Sequence, residues 1–116
     1  MSNLSQKACV PCKGGHPPLT REQYAPLLKQ LSGWRVERDH HLIKEYKFPD
    51  FAKGLEFVNA VGRMADQQGH HPDVYLSWGK VRLEVWTHKI DGLTESDFVF
   101  AAKADDLIPA GTQDRA

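Results

Sequence analysis

Between Asp50 and Gly69 the chain carries Phe51, Leu55, Val58, Val61 and Ala65 at helical spacing. This one amphipathic stretch splits the sequence between two pairs of strand-like runs, and that order constrains the fold more than any other feature. Asp50 is placed to cap the helix and Gly69 to close it, while Pro72 drives His71 towards an extended backbone. Upstream, residues 34–38 and 42–48 alternate apolar and polar side chains and predict two antiparallel strands joined at Asp39-His40-His41. Downstream, residues 73–77 and 80–87 predict a second hairpin across Trp78-Gly79. In its last strand Val81, Leu83 and Val85 share one face, and Arg82, Glu84, Trp86 and His88 the other.

A helix flanks each end of this block. Thr20 with Gln23 forms a capping box ahead of Tyr24, Leu27, Leu28 and Leu31, with an end expected at Ser32-Gly33 and a bend or later start at Pro26. Thr94 with Asp97 caps a final helix that buries Phe98, Ala101 and Ala102 and stops before Pro109. The order α-β-β-α-β-β-α predicts a single α+β domain, a four-stranded antiparallel sheet with helices packed on one face. Four short strands leave an edge strand and an open face, so self-association is expected. Residues 1–18 are expected as a flexible arm, 19–108 as the domain, and 109–116 as a frayed tail.

At 116 residues, 41% hydrophobic and 26% charged, the chain has material for one core and is too apolar for general disorder. Fifteen basic residues balance fifteen acidic ones, so neither a nucleic-acid nor an anionic-membrane footprint is present. No apolar run nears the ~18 residues of a membrane span, and the first residues lack an apolar signal core. A cytoplasmic location without membrane or direct nucleic-acid partners is expected. Cys9 and Cys12 form a C-x-x-C without a second half-site and without the strand-helix context of a redox pair, and are expected as reduced thiols in the arm.

Six histidines make the chain informative. His40-His41 reads as a solvated turn. His70-His71 lies where a helix exits into extended chain, a corner that lets both rings line one pocket. Asp66 sits one turn before His70 on the same helical face, placed to accept an imidazole N–H and fix its tautomer. His88 ends the last strand, which an antiparallel hairpin returns beside His71-Pro72. This spacing fits solvated histidines, a zinc or iron site of three histidines with Asp66, or metal-free acid/base catalysis, since imidazole titrates near pH 6.5. No G-x-S-x-G nucleophile and no glycine-rich phosphate loop occurs.

Four motifs together resemble the pterin-4a-carbinolamine dehydratase family, bacterial type. They are Asp66-Gln-Gln-Gly-His70-His71-Pro72-Asp73, Trp78-Gly79-Lys80-Val81, Thr87-His88, and Gly92-Leu93-Thr94-Glu95-Ser96-Asp97. The resemblance spans roughly residues 19–107. It implies the α+β fold and dehydration of 4a-hydroxytetrahydropterin to quinonoid dihydropterin and water, recycling the pterin after aromatic amino-acid hydroxylation with phenylalanine hydroxylase as functional partner. It implies His70, His71 and His88 as catalytic residues and Asp66 as their support. Gly69, His70, His71, Pro72, Trp86, Thr87, His88 and Lys89 are implied as the pterin-binding segments. No metal and no cofactor is implied, the pterin being substrate, and the assembly is a homodimer or homotetramer.

Chemistry then assigns His70 and His88 to proton transfer and His71 to holding the pterin. Asp66 is shorter than the Glu common in the family, and Trp86 is bulkier than the small polar residue of vertebrate members. The alternative on the same fold is a non-catalytic dimerisation, coactivator or assembly module.

Overall fold

The computed structural model describes residues 4–10 and 14–108. A 3-10 turn, Leu4–Gln6, precedes α1 (Arg21–Leu28), β1 (Arg35–Glu37), β2 (His41–Lys47), α2 (Phe51–Gln68), β3 (Asp73–Ser77) and β4 (Lys80–Val85). A second 3-10 turn, His88–Ile90, and α3 (Glu95–Asp105) follow. The expected order holds, and the strands form one antiparallel sheet in the order β1-β2-β4-β3. Leu42, Lys44 and Tyr46 pair with Val85, Leu83 and Val81. These six are buried, and α2 and α3 cover the face they form, where Tyr46, Phe57, Phe98 and Phe100 fill the core.

Lys44 is the exception to an apolar inner face. Its side chain is only 3% exposed, and its ammonium donates to Ser32 O at 2.8 Å and Asp105 Oδ1 at 3.0 Å. Tyr46 Oη and Trp34 Nε1 donate to the same carboxylate, at 2.6 Å and 3.2 Å. Burial pushes the Asp105 carboxyl above its ordinary pKa against these donors.

Several expectations are corrected. Helix α1 starts where the Thr20–Gln23 box predicts, but ends at Leu28 rather than at Ser32-Gly33. Pro26 supplies no N–H, and the chain beyond it closes through i→i+3 bonds, Gln30 N to Leu27 O and Leu31 N to Leu28 O, both 3.0 Å. Helix α2 keeps its expected cap, Asp50 accepting from Lys53 N at 2.8 Å, but its buried stripe is Gly54, Phe57, Val61, Met64 and Ala65. Phe51 and Leu55 face outward. Gly54 sets this rotation, because a Cβ there would stand 3.3 Å from Leu76 Cδ1, a tight fit that lets α2 sit close on the sheet.

The arm expected over residues 1–18 is docked where it is described. Leu4 and Cys9 are buried in the core cluster. Ser96 Oγ accepts Val10 N–H at 2.8 Å, Gln68 Oε1 accepts Cys9 N–H at 2.9 Å, and Lys103 Nζ donates to Ser5 O at 2.9 Å. Helix α3 is therefore buried on nearly every side, well beyond its three expected positions. Cys12 and the tail 109–116 lie outside the described residues.

Candidate active site

The exit of α2 decides where the two adjacent histidines go. Gly69 takes the left-handed conformation (φ 64°, ψ 31°), a region glycine enters without steric cost. His70 N then bonds back to Ala65 O at 3.2 Å and Gly69 N to Asp66 O at 3.4 Å, the paired closure that turns a chain sharply off a helix. This turn sends His70 inward to α3 and returns His71 over α2. His70 Nε2 lies 2.6 Å from Asp97 Oδ1, and His71 Nε2 lies 2.9 Å from Asp66 Oδ1.

Asp66 therefore supports His71 and not His70, as a correction to the sequence expectation. The reversal lies in the left-handed cap, which breaks the helical register that would have stacked His70 on Asp66. The two pairs differ sharply in setting: Asp97 is 0% exposed and His70 12%, whereas Asp66 and His71 are 83% and 59% exposed.

Asp97 is the residue that sequence reasoning missed as a site member, having been read only as a helix cap. It does meet Thr94, accepting its N–H at 2.8 Å, and it also accepts Thr87 Oγ1–H at 2.9 Å. Three donors from three segments thus converge on one buried carboxylate. A carboxylate accepts hydrogen bonds, so His70 carries its proton on Nε2 and leaves Nδ1 as its uncommitted nitrogen. The signal available in the sequence was an acid at the first turn of α3 combined with Thr87, one residue before a histidine.

The site loop is held at its base by the Thr87–Gly92 bridge, Thr87 N to Gly92 O at 2.8 Å. This closure ends β4 at Val85, two residues earlier than expected, and lifts His88 to the rim. Gly69, His70, His71, Trp86, Thr87, His88 and Lys89 line one cleft of about 260 Å³. That volume lies just under the ~300–1,000 Å³ usual for small-ligand sites and suits a compact ring system. Seven of the eight expected binding positions are therefore brought together. Pro72 is not; it lines a separate groove with Val58, Val74 and Asp66.

His40-His41, expected in solvent, instead packs on Trp86 with ring centroids 5.2 and 5.8 Å away. A larger concavity of about 660 Å³ lies between α1 and β1. It contains no histidine and none of the motif residues, so the smaller cleft is the one equipped for proton transfer. Among the described residues no three His, Cys, Asp or Glu side chains are grouped to hold a metal ion.

The chain is 56% identical over 107 residues to a Rubrobacter xylanophilus protein named "Putative pterin-4-alpha-carbinolamine dehydratase", covering 92% of this chain and 100% of that one. A protein of the same name from Alkaliphilus metalliredigens is 52% identical over 106 residues, covering 90% and 96%. Among solved structures, a transcriptional coactivator/pterin dehydratase from Brucella melitensis superposes with a TM-score of 0.74 at 27% identity, over 79% of this chain and 99% of that one. The family model described as pterin 4 alpha carbinolamine dehydratase matches residues 17–107, a span that holds all four motifs and the whole cleft. The chain belongs to the pterin 4 alpha carbinolamine dehydratase family.

Proposed function

We propose that the protein dehydrates 4a-hydroxytetrahydropterin to quinonoid dihydropterin by histidine acid/base catalysis, with no metal ion or other cofactor. The observation that carries this is one cleft lined by three imidazoles from two chain segments, one of them backed by a buried carboxylate. In the reaction the C4a–O bond breaks, a proton reaches the departing oxygen, and the N5 proton leaves so that a C4a=N5 double bond forms. One imidazole gives a proton and another accepts one, so the step is balanced without an oxidant or a nucleotide.

His70 and His88 both line the cleft, from different chain segments, and serve as the transfer pair. Asp97 anchors His70 Nε2 and stabilises the ring when it is charged, the orienting part a buried carboxylate plays for a catalytic histidine. His71, held by Asp66 at the surface, binds the pterin edge, with Gly69, Trp86, Thr87 and Lys89 completing the walls. Such an activity would return the pterin used by an aromatic amino-acid hydroxylase.

The test compares the breakdown of a freshly generated 4a-carbinolamine with and without protein. His70→Ala and His88→Ala are each expected to lower the catalysed rate by about 10²–10⁴-fold. Rates near the parent in both variants would overturn the assignment.

Self-association forms part of this reading. Phe51 and Leu55 on α2, and Val74, Tyr75 and Trp78 on and beside the edge strand β3, are large apolar side chains left exposed. A second copy of the chain is the proposed occupant, giving a homodimer or a homotetramer.

A further inference from the structure

The three cleft histidines are not held alike. His70 and His71 each have a carboxylate on Nε2, but the His88 imidazole makes no hydrogen bond to any described residue. Its one ring contact is Trp86, edge-on, with centroids 4.6 Å apart and planes at 69°. Whatever fixes the Trp86 indole therefore fixes His88. Two further rings pack on that indole: His40 of the β1–β2 turn and His41, the first residue of β2, themselves 5.3 Å apart and edge-on.

The turn is tied to the site loop as well, because His40 Nε2 lies 2.7 Å from Asp91 Oδ1. Asp91 sits three residues after His88 in the left-handed conformation (φ 52°, ψ 48°). It is a side chain that tolerates this strained region better than most.

We propose that His40 and His41 are positioning residues for His88, acting through Trp86 as a ring-packed wall in place of the hydrogen bond that His88 lacks. The role in catalysis rests on the dehydratase reading above; the placement of His88 does not. The proton inventory limits what the pair can hold. With His40 Nε2–H donated to Asp91, His40 Nδ1 accepts, and His41 Nδ1, 3.1 Å away, must donate. Two N–H groups cannot face each other at that distance, so the pair holds one added proton and its contact breaks on a second. The charged groups facing the pair are Asp91 from the loop and Glu84 from β4, 3.8 Å from His41 Nε2 and itself 3.1 Å from Arg82 Nε.

The experiment follows His88 directly, by its imidazole NMR signals in the ligand-free protein from pH 5 to 8, alongside dehydration kinetics. The His40→Ala/His41→Ala double variant is expected to move the His88 signals. It is also expected to lower kcat by about tenfold, as a small misplacement of a catalytic group does, while KM changes less than about twofold. His40→Phe keeps a ring on Trp86 without the bond to Asp91 and is expected to restore most of both effects beside native His41. Asp91 is 86% exposed, so losing its ion pair should barely alter the melting temperature. Unchanged His88 signals in the double variant, or no restoration by His40→Phe, would overturn the proposal. Absence of dehydration in the unaltered protein would instead overturn the proposed function, with the NMR result still read on its own.

Discussion

Two aspartate–histidine pairs put their imidazoles into the cleft, and burial separates their weights. The Asp97–His70 pair is shut away from water, so Asp97→Asn leaves at least one of three donors facing an amide nitrogen. This should cost about 1–3 kcal/mol of stability in urea unfolding. It should also lower dehydration by about 10²-fold or more. Asp66→Asn breaks an exposed pair and should shift stability by less than about 1 kcal/mol, with a rate loss below tenfold. Equal losses in the two variants would contradict the division of roles.

Cys9 gives an independent check on the docked N-terminal segment. Burial pushes its thiol up to about 11, so in a Cys12→Ser background it should react with an aromatic disulfide at pH 8 far more slowly than the urea-unfolded chain. At this scale the sequence disclosed residue types and their convergence but not their partners. His70, His71 and His88 were legible from spacing. The exchange of Asp66 for Asp97 was not, because it depends on a single left-handed residue and on where α3 lies in space.

Among the elements, α1 is fastened to the β1–β2 turn by Asp39, which accepts from Tyr24 Oη and from Arg21 Nε at 3.3 Å and Nη2 at 3.1 Å. The turn places both Arg38 and Asp39 at positive φ, 54° and 57°, without a glycine. The Tyr24 hydroxyl first, and then Arg21, hold the Asp39 carboxyl below its ordinary value. A depressed folded-state pKa adds stability above the unfolded value near 3.9 and loses it as pH falls through the folded one. Asp39→Asn should therefore flatten the fall in melting temperature between about pH 4 and pH 2; an unchanged acid limb would show that the tie is worthless.

Gly92 marks where the N-terminal segment crosses the site loop, since a Cβ there would lie 2.5 Å from Pro18 Cβ. Gly92→Ala should cost about 1–3 kcal/mol and raise hydrogen exchange at Leu19, whose N–H bonds Leu93 O at 2.8 Å. Helix α2, its cap, the succession of elements along the chain and both hairpins were readable from period and turn residues, whereas the pairing of β2 with β4 was not. The inward stripe of α2 was not, because this helix is apolar on two flanks and only the close approach at Gly54 chooses between them. The short span of α1 was equally hidden, since the Pro26 defect is expressed through the turns that follow it.

Across the whole molecule, α2 and α3 cover one sheet face with the N-terminal stretch docked on these helices, and the edge strand β3 with the outer flank of α2 is left bare. If a second copy covers that flank, Leu55→Glu with Tyr75→Lys should shift sedimentation towards monomer while the circular dichroism spectrum stays native. A parent chain that sediments as monomer would remove the proposed interface. That apolar flank was foreshadowed by four short strands with an open edge, but its position follows from the rotation of α2.

The lysine at the centre of the sheet has a different consequence. A strand that slid one step along its neighbour would turn Ile43 and Glu45 inward and carry Lys44 and Tyr46 out, leaving the Asp105 carboxylate without two of its donors and with Trp34 alone of the three side chains that donate to it. An uncompensated interior charge is far costlier than a misplaced aliphatic group. During assembly the ammonium thus acts as a proofreading mark, rejecting mispaired hairpins that oily residues alone would tolerate.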